Sequence, residues 1–189
     1  ELYYFPLSKH LTHLMSDSDR NKIFSGLLNI YKLHKTLIEK IEERLSRWND
    51  TQKIGDIFYE LSPMFMVYTQ FTTKYEMAIE TFTQQNKSLM NNFLYLRRKD
   101  PYAHQHTLNS FLIMPIQRIP RYKMLLEGLL KHTDENHPDR ESLEKAVVEM
   151  GNIADYLNRK ITERQNFHKM KLISQKIIGV KDLILPNRR

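Results

Sequence analysis

Apolar residues recur in steps of three and four along most of this chain, the spacing that places them on one face of an α-helix. Ile23, Leu27, Ile30, Leu33, Leu37, Ile41, Leu45 and Trp48 form the longest stripe. Asp17, Ser18 and Asp19 offer N-caps before it. The pattern predicts one helix of about 30 residues, roughly 45 Å long at 1.5 Å per residue, with the whole stripe buried. "NDTQ" ends it. A second stretch, 54–71, carries Ile57, Phe58, Leu61, Phe65 and Tyr68, with Pro63 set to kink it or to start a new first turn. A third, more polar stretch covers 73–96. "RRKDPYAHQH" is a charged connection, and helix resumes through Leu108 and Leu112. "HTDENHPDRES" is the next loop. The last long helix starts near Ser142, capped by Ser142 or Asp139, and runs through Leu143, Val147, Met150, Ile153, Leu157 and Ile161. "IIGVKDLIL", from Ile177, is ambiguous between helix and strand. The fold class is all-α: an elongated bundle of long antiparallel helices.

"IMPIQRIPRYKMLLEGLLKH", residues 113–132, breaks the rule and still reads as helix. Pro115 and Pro120 each lack an amide N–H and crowd the preceding turn. A single proline is accommodated by a kink when neighbours satisfy the freed carbonyl. One long, bent helix through both prolines is expected, its Leu-rich half (Leu125, Leu126, Leu129, Leu130) in the core and its Ser110–Gln117 half displayed.

Composition narrows the chemistry. With 189 residues, 41% hydrophobic and 27% charged, the chain is an ordinary globular domain able to bury one core. Its five glycines never cluster, so no Gly-rich phosphate loop exists. No cysteine is present, which removes disulfides, thiolate zinc sites and cysteine nucleophiles. No apolar run approaches the roughly 20 residues of a membrane span. The opening "ELYYFPL", with no initiator Met, reads as the continuation of a longer protein.

Residues 157–189 hold nine Lys/Arg against Glu163 and Asp182, which is the entire net charge of +7. Such a segment suits a solvated helix face or anionic lipid. The neutral remainder offers no basic stripe for nucleic acid.

Catalytic constellations are missing. His104 and His106 lack a carboxylate at ligand spacing, and there is no HExxH, so no metal or other cofactor is called for. Ser110 has no assembled His–Asp partners, and Glu42 and Glu43 face apart. His34, on the apolar stripe, reads as a hydrogen-bonded core histidine. The nine methionines read as core filler. An all-helical body of this kind points to recognition through a helix face. Helical stepping groups Met114 with Ser110 and Gln117, and Gly151 with Val147 and Asp155. A glycine inside a helix costs about 1 kcal/mol relative to Ala, so Gly151 marks either a close backbone approach or simple packing against a neighbouring helix.

"FLIMPIQRIPRYKMLLEGLLKHT" resembles the third conserved block of the Dbl-homology domain, the module of exchange factors for Rho-family GTPases. Pro115, Gln117, Arg118, Arg121, Tyr122, Leu125 and Leu126 match it. "IFSGLLNIYKLHKTLIEKIEERLSRW" is similar to a second segment, around Asn29, Ile30, Tyr31 and His34, and "KIGDIFYELSPMFMVY" resembles the faciogenital-dysplasia-type branch. "SQKIIGVKDLILPNRR" resembles the linker toward a pleckstrin-homology domain. The resemblance implies a Dbl-homology domain over 1–168, lacking the start of its first helix, and a helix end with linker over 169–189. It implies a protein that makes no covalent step: it binds both switch regions of a Rho, Rac or Cdc-type GTPase, displaces the magnesium and promotes GDP release. With helical stepping it places Ser110, Ile113, Met114, Gln117, Arg118, Val147, Gly151, Asn152 and Asp155 at the GTPase. It further implies Rho signalling to the actin cytoskeleton, a cytoplasmic location with recruitment to membrane, and phospholipid contact through the basic C-terminal segment. The family's usual Lys before the block's proline is Met114 here, its usual Asn in the last helix is Gly151, and its first-block Glu has no counterpart. The 189 residues alone are therefore expected to drive little exchange. Two alternatives stay open: a non-catalytic scaffold of the same fold, and a basic helical membrane-surface module.

Overall fold

A computed structural model describes residues 2–83 and 87–176. Among these every regular element is helical. A short π-helical turn at Pro6–His10 and a 3-10 turn at Thr12–Leu14 lead into α1 (Asp17–Phe24) and α2 (Leu27–Ser46). Then come α3 (Gly55–Leu61), a 3-10 segment at Ser62–Val67, α4 (Tyr68–Thr83) and α5 (Lys87–Arg98). A 3-10 turn at Pro101–Ala103 precedes α6 (Leu108–Lys131) and α7 (Arg140–Lys176). The 37 residues of α7 span roughly 55 Å, which sets the elongated shape.

The long first stripe is two helices, not one. Gly26 adopts φ +83°, a left-handed conformation that ends α1 and starts α2. A Cβ there would stand 3.3 Å from the Phe71 amide nitrogen, so the break lets α4 approach. Ser16, rather than Asp17, Ser18 or Asp19, caps α1: its hydroxyl accepts from the Asp19 amide at 3.1 Å. The far end of the stripe is not buried either. Leu45 and Trp48 are exposed; the last turn of α2 meets α3 through the Arg44–Asp56 ion pair at 3.0 Å instead.

Pro63 lies in the first turn of the 3-10 segment after α3, and the next helix begins at Tyr68, earlier than the expected break after Phe71. Residues 84–86 and 177–189, including "IIGVKDLIL", lie outside the described residues.

Helix α6 runs unbroken through Pro115 and Pro120, as expected of this stretch. Its Leu-rich half divides by face. Leu126 is buried and Leu130 partly so, but Leu125 is 61% exposed and Leu129 is also exposed. The turns that bury Ile119, Tyr122 and Leu126 point Leu125 and Leu129 outward. Methionine splits likewise: Met15, Met90 and Met150 are core, whereas Met64, Met66, Met77, Met124 and Met170 are exposed.

Two helix starts converge on one aspartate. Asp139, 4% exposed, accepts from the Ile54 amide at 2.7 Å and the Gly55 amide at 3.0 Å. Its own carbonyl accepts from Leu143 N at 2.9 Å, opening α7. Arg140 donates to the carbonyls of Leu130 (3.2 Å) and Thr133 (2.8 Å), closing the end of α6. These bonds fix α6, α7 and α3 at one end of the bundle.

Candidate functional site

Helix α6 presents one continuous outward face because residues three and four apart align. Ser110, Ile113, Met114 and Gln117 lie along it, and Arg121, Met124 and Gly128 extend it. Gln117 and Arg118 are exposed; Ser110, Ile113 and Met114 are half-buried. The Ser110 hydroxyl is engaged locally, 2.9 Å from the Thr107 hydroxyl that caps the helix. On α7, Val147 and Gly151 are half-buried while Asn152 and Asp155 are exposed. Asn152 and Asp155 open a shallow polar depression that continues past Asn158, Arg159 and Thr162.

The two helices meet at Gly151 through Lys123, not through Met114. A Cβ on Gly151 would lie 3.6 Å from Lys123 Cε and 3.7 Å from Nζ. Of the two alternatives at Gly151, simple packing against the neighbouring helix is the one observed: the contact is an ordinary one with a side chain, and no backbone comes close. Met114 sits nearly ten residues before Lys123, roughly 13 Å away along α6. The antiparallel pairing thus sets Met114 toward the later turns of α7. Lys123 escaped the sequence reading because it lies off the Ser110–Gln117 face; only its partner helix reveals its place.

Beneath Arg118 runs a half-buried polar chain. His34 Nε2 is 2.5 Å from the Tyr68 hydroxyl, and His34 Nδ1 is 3.0 Å from the Tyr122 hydroxyl. The His34 and Tyr122 rings stack at 5.7 Å, and the Arg118 guanidinium lies 4.8 Å from the Tyr122 centroid. Burial, reinforced by the Arg118 charge, pulls the His34 pKa below its ordinary 6.5 and keeps the ring neutral. Burial, with the Tyr122 hydroxyl beside it, pushes Tyr68 well above the usual phenol range. The core-histidine reading of His34 holds, and Tyr122, matched as part of a motif, is its partner.

A model of the RhoGEF domain matches residues 1–158. The chain belongs to the RhoGEF domain family. This RhoGEF domain is 35% identical over 196 residues to "Guanine exchange factor for Rac 30" of Dictyostelium discoideum, covering 99% of the chain and 12% of that relative. It is 31% identical to mouse "FYVE, RhoGEF and PH domain-containing protein 4", covering 88% of the chain and 22% of the relative. The chain thus spans less than a quarter of the length of either relative. Its fold matches a structure of Vav1 with an allosteric inhibitor at TM-score 0.83 and 19% identity, covering 96% of this chain and 32% of that one. It also matches the PDZ-RhoGEF DH/PH domains in complex with activated RhoA at TM-score 0.82 and 20% identity, covering 93% and 50%. Among the described residues of this RhoGEF domain no helix is long and apolar enough to cross a membrane.

Proposed function

We propose that this RhoGEF domain binds a Rho-family GTPase across α6 and α7 and promotes release of its GDP. The observation that carries this reading is the pair of exposed polar stretches, Gln117 and Arg118 on α6 and Asn152 and Asp155 on α7, on two helices that meet at Lys123 and Gly151. The names of the Rac exchange-factor relatives and the RhoA-bound PDZ-RhoGEF neighbour support it. No covalent step is needed. A surface that binds the nucleotide-free GTPase more tightly than the loaded one lowers the barrier to nucleotide loss. Disturbance of the switch regions and of the bound magnesium is the physical means. The named site residues are Ser110, Ile113, Met114, Gln117, Arg118, Val147, Gly151, Asn152 and Asp155, with 1–168 as the exchange module and 169–189 leading on toward a pleckstrin-homology domain. Relatives of the FYVE, RhoGEF and PH type, 26–31% identical, support placement near the faciogenital-dysplasia-type branch. The cellular role would be Rho signalling to the actin cytoskeleton from the cytoplasmic side of a membrane.

The test is release of fluorescent GDP from Rac-, Rho- and Cdc-type GTPases, by residues 1–189 and by a longer chain extended at both ends, together with affinity for the nucleotide-free and GTP-loaded forms. Preference for the empty form with at least one GTPase supports exchange. Equal affinity for both forms supports the scaffold reading, which the replacements at Met114 and Gly151 favour.

The exposed end of α7 favours a lipid contact in addition. Arg164, Lys169 and Lys171 stand there beside exposed Phe167, Met170 and Ile173. Sedimentation with phosphatidylserine vesicles at low salt tests it, and failure to co-sediment removes it.

A further inference from the structure

We propose that Lys123 is a specificity-determining contact of the docking face: its ammonium, laid across Gly151 in the seam between α6 and α7, pairs with a carboxylate on the bound GTPase. This rests on the reading of α6 and α7 as the docking face.

Gly151 is where the lysine rests. With no side chain there, Cδ, Cε and Nζ of Lys123 all come within 3.9 Å of where a Cβ would stand. The lysine stem therefore lies flat on α7. A stem already held against a helix loses less rotamer freedom when its charge is engaged. The side chain is still 43% exposed, so the ammonium faces solvent.

Its partner within the chain is weak. Glu127 lies 3.7 Å away and is itself 49% exposed, an i,i+4 surface pair of the kind that contributes little. The cation can exchange Glu127 for a carboxylate of a docked protein at small cost. Arg118, by contrast, is stacked on Tyr122. Of the α7 site residues around the seam, Val147, Gly151 and Asn152 bear no charge and Asp155, one turn beyond Gly151, bears a negative one, so Lys123 is the cation there. A positive charge in that setting selects between partners by the acidic group opposite it, since charge complementarity governs specificity and encounter more than raw affinity.

The experiment measures affinity for nucleotide-free GTPases of the Rac, Rho and Cdc types, using wild type, Lys123→Ala, Lys123→Glu, Gly151→Leu, the Lys123→Ala/Gly151→Leu pair and Gln117→Trp. Exposed Gln117 serves as the control for the face itself. For the best-bound GTPase, Lys123→Glu is expected to weaken binding by about 10-fold or more near 50 mM salt, and by much less near 500 mM. Lys123→Ala is expected to weaken it by about 3-fold. Gly151→Leu pushes the lysine off α7 and should match Lys123→Ala without adding to it in the double variant. Thermal melts confirm that each variant folds. Lys123→Glu binding like wild type while Gln117→Trp abolishes binding overturns the Lys123 contact and leaves the docking face standing. Binding that survives Gln117→Trp and Lys123→Glu alike overturns both. Gly151→Leu binding like wild type overturns the part assigned to Gly151.

Discussion

His34 on α2 and Tyr122 on α6 are joined by a hydrogen bond of 3.0 Å between Nδ1 and the phenol oxygen, with their rings stacked. The other ring nitrogen of His34 meets Tyr68 of α4, so one imidazole ties three helices together. A neutral imidazole donates from one nitrogen and accepts at the other. One tyrosine therefore donates to the ring and the other accepts from it.

Protonation ends that arrangement, because both nitrogens then donate and a charge sits in a desolvated place beside Arg118. The folded-state pKa of His34 lies below its unfolded value of 6.5. Its stabilising contribution is therefore fully present above pH 6.5 and is lost as pH falls through the folded pKa. The urea midpoint of the wild type should drop between about pH 7.5 and pH 5 more than that of His34→Gln, which cannot titrate. Parallel pH profiles of the two proteins would refute this. Tyr68→Phe should cost about 1–3 kcal/mol at neutral pH by leaving a ring nitrogen unpaired.

Gly55 admits no side chain. A Cβ there would stand 2.4 Å from Leu143 N and 2.6 Å from Ser142 C, both backbone atoms of α7 that cannot step aside. Gly55→Ala should destabilise the fold by at least about 2 kcal/mol in chemical denaturation, beyond any gain in helix propensity. A variant as stable as wild type would mean that α3 and α7 separate more easily than their contact implies.

Asp139 holds two amides of another helix start while buried. Asp139→Ala should cost about 2–3 kcal/mol, because both donors lose their acceptor in a closed site. Asp139→Asn keeps one carbonyl oxygen and should lose less. Denaturation midpoints of the two variants, measured side by side, give the order.

Leu125 and Leu126 are neighbours with opposite fates. Leu125→Ser, at a 61% exposed position, should change stability by less than about 0.5 kcal/mol. Leu126→Ala, at 1% exposure, should cost about 2–5 kcal/mol. Equal losses would place Leu125 against a neighbour that the described residues do not show.

Helical class, the order of the long helices, the core role of Ile30, Leu33, Leu37, Leu112, Met150 and Leu157, and the passage of α6 through two prolines were all legible in the sequence. Each follows from local steps of three and four, and burial of one helix face is a local pattern. His34 was legible for the same reason, as a polar residue on an apolar stripe. The sequence misled where one stripe was read past Gly26, since a left-handed residue leaves the apolar spacing intact while turning the chain. It misled again at Leu125 and Leu129, because a leucine run fills more than one face and only the neighbouring helices select which face is covered. Lys123 over Gly151 and Asp139 beneath Ile54 and Gly55 belong to the tertiary structure alone. They join residues on different helices whose relative rotation and register no single helix encodes. That register is what lays "IMPIQRIPRYKMLLEGLLKH", a helix with two prolines, along α7 with Lys123 over Gly151.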